Sequence, residues 1–136
     1  MGKIDNRLDA LKQLEYLELS KNNFLEIPKE IFEILTLKKI YLSDNQISDL
    51  PNEIINLKDL EYLFLDNNAI VEVPRSLFEL KRVKKISLRN NNLKSLPSEL
   101  KNIEFEGEID LRGNQIDTIQ INRILSSNNK LKILIW

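Results

Sequence analysis

The stretch that decides the fold is Leu14-Glu15-Tyr16-Leu17-Glu18-Leu19-Ser20-Lys21-Asn22-Asn23-Phe24. Apolar residues stand at positions 1, 4, 6 and 11 of this stretch, and asparagine stands at position 9. The same frame returns every 23 residues, and an asparagine marks each copy: Asn22, Asn45, Asn68, Asn91 and Asn114. A period this strict indicates a stack of similar coils rather than an irregular globule.

Each copy of the frame predicts one short strand and one sharp bend. The alternation Leu17-x-Leu19 is typical of a strand with one buried face and one open face. A single coil cannot bury its own apolar side, so neighbouring coils must stack into a continuous core. The bend leaves backbone donors and acceptors that need partners, and an asparagine amide offers both kinds of group. We therefore expect a structural ladder that consists of Asn22, Asn45, Asn68, Asn91 and Asn114.

A second column marks the other side of each coil, and it consists of Pro28, Pro51, Pro74 and Pro97. Proline ends a hydrogen-bonded strand and suits the first position of a helical turn. Acidic residues follow two positions later in three of these copies, where the helix dipole favours negative charge: Glu30, Glu53 and Glu99. The column therefore predicts a short helical turn in each coil.

These residues resemble the leucine-rich repeat family, in the 23-residue class with L-P-x-E-I-x-x-L on its outer side, as in bacterial leucine-rich repeat proteins. The segment Leu50-Pro51-Asn52-Glu53-Ile54-Ile55-Asn56-Leu57 matches that outer motif, and the resemblance covers about residues 4–136. It implies an α/β fold, a right-handed solenoid with a parallel concave sheet and short helical turns or 3-10 turns on the convex side. Proteins like this usually bind other proteins through the concave face.

The repeat boundaries predict a single domain over residues 1–136. Residues 1–13 form a half repeat, because Ile4, Leu8 and Leu11 precede Ile27, Ile31 and Ile34 by 23 residues. Four regular repeats follow over 14–105, then an irregular fifth repeat over 106–130 and a terminal strand over 131–136. We expect the sixth frame to begin at Leu131, and the absence of proline at Gln120 predicts a short amphipathic helix over 121–127.

Composition excludes several function classes. The chain has a net charge of −1 and 30% charged residues, so it lacks the basic footprint of a nucleic-acid-binding protein. It contains no cysteine or histidine, which excludes disulfides, histidine triads and ordinary zinc sites. We expect no cofactor, no metal, no catalytic residue and no membrane span. Without a signal peptide in this chain the expected location is cytoplasmic by default, and a secreted bacterial protein stays open if a leader was removed.

Residues between the core leucines point away from the core. In the family such residues line the concave face, and here they include Tyr16, Tyr41, Tyr62 and Phe64. Because parallel strands lie about 4.8 Å apart, we expect the last three to form one aromatic patch with Tyr16 at its edge. Tyrosine is enriched at binding hot spots, although aromatic residues also favour strands for their own sake. The predicted partner-binding residues are Tyr16, Lys39, Tyr41, Tyr62, Phe64, Asp66, Lys85, Arg89, Glu108, Asp110 and Arg112.

Charged side chains dominate the later half of this face. Lys85 and Glu108 are neighbours in one column and form a candidate cross-strand pair. The favoured interpretation of this half is solvated charges that keep the sheet soluble. The alternative is that Arg89 and Arg112 beside Asp66 orient an acidic ligand. The pair Glu108 and Asp110 is expected to face solvent with no pocket to shift a pKa, which argues against hydrolysis. The aspartates lack the close spacing of a calcium loop and are interpreted as solvated turn residues: Asp44, Asp66, Asp110 and Asp117.

The last strand suggests a second hypothesis. Its outward residues are predicted to be Ile133 and Ile135, and Trp136 ends the chain. An unpaired apolar edge recruits other strands, so these three residues form a candidate self-association edge for a homodimer. The equally weighted alternative is a truncated sheet, or an end strand protected only by Lys130 and Lys132. A third hypothesis makes the chain the recognition part of a larger enzyme.

Overall fold

The computed structural model of the chain describes residues 11–136 and places their strands in one parallel sheet. Within this range six strands pair in sequence order: β1 (Tyr16–Glu18), β2 (Lys39–Tyr41), β3 (Tyr62–Phe64), β4 (Lys85–Ser87), β5 (Glu108–Asp110) and β6 (Lys132–Leu134). This open sheet of stacked coils confirms the predicted fold class. Ile4 and Leu8 of the predicted half repeat lie outside the described residues, whereas Leu11 packs against the core.

In the first four coils, the side opposite the sheet carries a 3-10 turn that begins directly after a proline. These turns are Lys29–Glu33, Asn52–Asn56, Arg75–Glu79 and Ser98–Asn102. The prolines hold φ between −75° and −54°, which their rings impose at a turn start. The third residue of each turn is apolar and fully buried: Ile31, Ile54, Leu77 and Leu100. The first and third turns also bury Phe32 and Phe78. The core is thus a continuous layer between the sheet and the turns.

The fifth coil replaces the 3-10 turn with helix α1 (Thr118–Ser127), three residues longer at its start than predicted. Asp117 caps this helix, because its carboxylate accepts hydrogen bonds from the backbone N–H groups of Ile119 and Gln120. The Gln120 side chain stands where the other coils have proline. Its amide donates to the Leu96 carbonyl at 2.6 Å and accepts from the Leu96 N–H at 3.1 Å, which fixes α1 to the preceding coil.

The asparagine column connects successive coils through backbone groups. The Asn91 amide donates to the carbonyl of Leu65 in the preceding coil and to that of Leu88 in its own, both at 3.0 Å. Its carbonyl oxygen accepts from the Ile70 N–H at 3.0 Å. The same exchange with the preceding coil recurs at Asn45, Asn68 and Asn114. Asn22 is exposed and its amide donates to carbonyls of its own coil, so this side chain connects coils less than the other four do.

A further column consists of residues with positive φ, each one residue before an asparagine of the ladder, and the sequence analysis did not predict it. Lys21, Asp44, Asn67 and Asn90 have φ between 54° and 59°, and Gly113 has φ 80°. Asn67 donates to the Asp44 carboxylate and Asn90 to the Asn67 carbonyl, both at 2.8 Å. A Cβ atom on Gly113 would lie 2.0 Å from the Asn90 side-chain oxygen and 3.1 Å from the Asn90 backbone nitrogen, and the backbone has φ 80°, so this position favours glycine. The 23-residue recurrence of Asp, Asn and Gly, which tolerate left-handed backbone, was the signal that could have found it.

The predicted start of the sixth frame at Leu131 is wrong by one residue. Ile133 pairs with Ile109, so β6 follows β5 after 24 residues instead of 25. Lys130 holds the first frame position, and its ammonium contacts the Glu106 carboxylate at 3.2 Å. Both are charged and exposed, so the adjacent Phe105 (1% exposed) and Leu131 (7%) fill the core in their place. The residue pattern of the last strand therefore shifts by one.

Candidate functional site

The candidate site is the open face of the sheet, formed by side chains that point away from the core in β1–β6 and just after them. Strand register arranges these side chains in columns. The first column is Tyr16, Lys39, Tyr62, Lys85, Glu108 and Lys132. The second is Glu18, Tyr41, Phe64, Ser87, Asp110 and Leu134. The third, directly after the strands, is Ser20, Ser43, Asp66, Arg89 and Arg112. All the predicted partner-binding residues therefore lie in these columns.

Three aromatic rings stack in the middle of this face. The ring centroids of Tyr41 and Phe64 are 4.9 Å apart and their planes differ by 7°. Tyr62 lies 6.3 Å from Phe64 with planes within 3°. Tyr41 and Phe64 are direct partners on neighbouring strands, so the strand spacing sets their stacking distance. All three rings are half-buried, which leaves part of each accessible to a ligand.

Lys39 lies between Tyr16 and the aromatic cluster, which consists of Tyr41, Phe64 and Tyr62. Its ammonium lies over the Tyr16 ring at 4.9 Å and over the Tyr62 ring at 5.0 Å from the centroids. A cation held between two ring faces gains about 0.5–1 kcal/mol from each at an exposed site. Tyr16 therefore joins the cluster through Lys39 rather than by direct ring contact.

The later half of the open face contains two ion pairs. The Lys85 ammonium contacts the Glu108 carboxylate at 3.3 Å. Arg112 donates from Nε and Nη2 to the two carboxylate oxygens of Asp110, at 2.9 and 2.7 Å. The expectation that Asp110 faces solvent is wrong, because its side chain lies beneath the arginine and the residue is 1% exposed.

The Asp110–Arg112 pair shifts both pKa values toward the charged forms. Burial is the largest influence on the pKa of Asp110 and raises it. Hydrogen bonds from Arg112, together with the charges of Arg112 and Arg89, outweigh burial and hold this pKa below its ordinary value. The hydrogen bond to Asp110 in turn raises the pKa of the Arg112 guanidinium. The carboxylate is thus fixed as an acceptor, which suits a structural role and not proton transfer.

Asp66 joins the two halves of the open face. Its Oδ1 accepts from the buried Ser87 hydroxyl at 2.5 Å and from the Arg89 backbone N–H at 2.9 Å. The expected grouping of both arginine side chains beside Asp66 is only partly found, since Arg112 pairs with Asp110 instead. The Arg89 guanidinium has no hydrogen bond or ion pair to any residue in the range 11–136.

The register shift of β6 corrects the predicted C-terminal edge. Ile133 and Ile135 are half-buried against the core and do not continue the outward columns. Lys132 and Leu134 take those positions, and Leu134 is 37% exposed. Trp136 is 87% exposed, as a free edge residue would be. The apolar surface at this end therefore consists of Leu134 and Trp136.

The predicted turn aspartates all have structural partners. Asp44 accepts from Asn67, Asp66 from Ser87, Asp110 from Arg112, and Asp117 caps α1. Throughout residues 11–136, no group of three or more acidic side chains could hold a metal ion. In that same range no helix is both long and apolar enough to pass through a bilayer.

A separate groove of about 610 Å³ lies away from the open face. It lies between the outer segments of the first two coils, with Leu25, Phe32, Glu33, Asp49 and Pro51 among its lining residues.

The open face itself is a broad surface that offers aromatic rings and charges over several strands. Such a surface fits a polypeptide better than a small substrate, which needs enclosure.

Comparisons with known proteins agree with this architecture. A family model described as "Leucine rich repeat" matches residues 12–70, and a second, "Leucine Rich Repeat", matches residues 82–103. No curated protein matches the chain.

Two solved structures are similar over nearly the whole chain. A leucine-rich repeat protein of Leptospira interrogans is 33% identical over 96% of this chain, with a TM-score of 0.85. The leucine-rich repeat domain of APL1 is 27% identical over 91% of this chain, with a TM-score of 0.75. The chain spans 33% of the length of each of these two proteins. The Leptospira protein agrees with the bacterial class expected from the sequence.

Proposed function

Because this chain belongs to the leucine-rich repeat family, we propose that it is a non-enzymatic protein-binding module that holds a protein or peptide on its concave face. The concave face of the family corresponds to the open face described above. Leucine-rich repeat domains commonly act as protein-binding modules and are typically not enzymes. The specific surface and its residues are our own inference.

The observation that carries the proposal is the stack of Tyr41, Phe64 and Tyr62 in the middle of the open face. Stacked rings are already ordered, so little side-chain entropy is lost when a partner covers them. Tyrosine is among the residue types most enriched at binding hot spots, which lie near the centre of an interface. Tyr16 extends this anchor through Lys39. The polar surround consists of Lys39, Asp66, Lys85, Arg89, Glu108, Asp110 and Arg112.

Affinity purification with two matched double variants tests this proposal. Tyr41→Ser with Phe64→Ser removes the anchor, whereas Lys85→Ser with Glu108→Ser removes a pair from the same face. The aromatic variant should lose at least ~30-fold in affinity, which is the loss expected from a single hot spot of about 2 kcal/mol. The ion-pair variant should keep its partner within about fivefold.

Circular dichroism and thermal melting verify that both variants are folded. A partner captured equally well by wild type and by a folded Tyr41/Phe64 double variant would refute the proposed surface.

A second candidate function is self-association through the last strand. Leu134 and Trp136 expose apolar surface at β6, the end strand of the sheet described for residues 11–136. Apolar edge strands pair with other strands unless they are blocked. Trp136→Ser should then abolish a dimer detected by light scattering, and a strict monomer over a wide concentration range would remove this candidate.

The hypothesis of a larger enzyme remains a prediction about what adjoins this chain. It expects a catalytic domain in the same gene product, so the complete reading frame tests it directly. The two similar solved structures are each about three times as long as the chain, which covers 33% of them.

A further inference from the structure

The carboxylates on the open face already have partners. Glu18 accepts from the Ser20 N–H at 2.7 Å, and Glu108 is paired with Lys85. Asp66 accepts from Ser87 and Arg89, and Asp110 is held by both Nε and Nη2 of Arg112. A cationic ligand would have to displace Lys85 or Arg112 to reach Glu108 or Asp110, whereas Glu18 and Asp66 accept only from neutral donors.

The cations on the open face are only partly compensated. Lys85 and Arg112 are paired, but Lys39 contacts aromatic rings rather than a carboxylate. The exposed Arg89 guanidinium and the Lys132 ammonium have no ion pair within residues 11–136. The three columns hold five cations and four carboxylates, so the net charge of this face is +1, although the whole chain carries −1.

The orientation of the aromatic rings favours the same kind of ligand. Two coplanar rings cannot approach to 4.9 Å without their hydrogens overlapping, so Tyr41 and Phe64 turn their faces toward each other. A ligand then meets ring edges and the tyrosine hydroxyl. Ring edges carry positive potential and the hydroxyl is a donor. Oxygen acceptors, above all carboxylates, complement both groups.

Two cations without a carboxylate partner, Lys39 and Arg89, have a spacing that fits an extended polypeptide. Lys39 and Arg89 are separated by two strands across the sheet and four residues along it. Strand geometry puts their Cα atoms about 16 Å apart, on a diagonal across the aromatic cluster. An extended polypeptide covers this distance with about five residues.

We propose that the ligand of the concave face is an acidic, extended polypeptide segment whose carboxylates pair with Lys39 and Arg89 on either side of the Tyr41–Phe64 stack. This inference rests on the proposed function and specifies the class of its partner. The backbone of Arg89 is fixed by its N–H bond to Asp66, while its guanidinium stays available to a carboxylate, with which it can form a charge-assisted hydrogen bond.

Selection from a random dodecapeptide phage library tests the charge preference with four variants. Arg89→Gln and Lys39→Gln each remove one free cation, and Tyr41→Ser with Phe64→Ser removes the anchor. Arg123→Gln is the matched control, because Arg123 is exposed on α1 and its side chain has no ion pair within the described range. Wild-type binders should be enriched in Asp and Glu. Their affinity should fall about 3–10-fold with Arg89→Gln or Lys39→Gln and stay unchanged with Arg123→Gln.

The outcomes separate this inference from the proposed function. Peptides that need Tyr41 and Phe64 but show no acidic enrichment, and that ignore Arg89→Gln, would overturn the acidic-segment inference and leave the concave site standing. Peptides that bind independently of Tyr41 and Phe64, or no peptide above background, would overturn both. Loss of binding when Asp and Glu in a selected peptide are replaced by Asn and Gln would support the inference directly.

Discussion

The two halves of the open face differ in what their side chains contact. In the first half, Tyr41, Tyr62 and Phe64 stack on one another and keep accessible edges. In the second half, Asp110 and Arg112 satisfy each other and the carboxylate is buried. The aromatic half therefore has capacity left for a ligand, whereas the ion-paired half, apart from Arg89, contributes mainly to the fold. Measurements of stability and of pairwise coupling can test this division.

The largest expected effect on stability comes from Asp110→Ala in the ion-paired half. The substitution leaves the Arg112 guanidinium without its acceptor and opens a void beneath it, which should lower the free energy of unfolding by about 1–3 kcal/mol. Urea denaturation measures this change. Glu108→Ala is the control, because its exposed pair with Lys85 is worth about 0.2–1 kcal/mol. Equal losses for the two variants would contradict the special role of the buried carboxylate.

Acidic pH should lower the stability that the Asp110–Arg112 pair contributes. The folded pKa of Asp110 lies below its ordinary value, so its ionised form stabilises the fold above the unfolded pKa, near 4. This contribution is lost as pH falls from about 4 through the lower folded pKa. Thermal melting from neutral to acidic pH should show a smaller acid-induced decrease in Tm for Asp110→Asn than for wild type. Glu104→Gln, on an exposed loop residue, should keep the wild-type profile.

A smaller effect is expected for the coupling between Tyr41 and Phe64. Serine substitutions in a double-mutant cycle should give a coupling energy of about 0.5–1.5 kcal/mol, the usual contribution of a stacked pair beyond burial. The value should change little with added salt, because stacking does not depend on net charge. A coupling energy near zero would mean that the rings are neighbours without being an ordered unit.

The smallest effect is expected for Lys85 and Glu108. A cycle of alanine substitutions should give about 0.2–1 kcal/mol, because the pair lies on an open surface in contact with water. This coupling should decrease in high salt, where exposed charges are screened. A coupling larger than that of Tyr41 with Phe64 would reverse the division between the two halves.

The sequence by itself determined the architecture, because a fixed repeat fixes both burial and register. The 23-residue spacing of Asn22 to Asn114 and of Pro28 to Pro97 predicted the parallel sheet and the turn behind each strand. It also predicted that Tyr41, Tyr62 and Phe64 lie side by side, since residues one period apart become neighbours in stacked coils. Whether these residues bind a partner stays a prediction.

Only the tertiary structure decided the features that depend on packing where the repeat is irregular. The register of the last strand differs by one residue from the register predicted, so Ile133 and Ile135 pack against the core instead of lying on the open face. This shift occurs in the coil where Gln120 replaces proline and where Phe105 and Lys130 depart from the repeat pattern. The burial of Asp110 beneath Arg112 likewise depends on how one side chain folds over another, which spacing does not specify. Periodicity fixes where a backbone position lies, whereas side-chain contacts and charge pairing depend on the particular neighbours that the fold brings together.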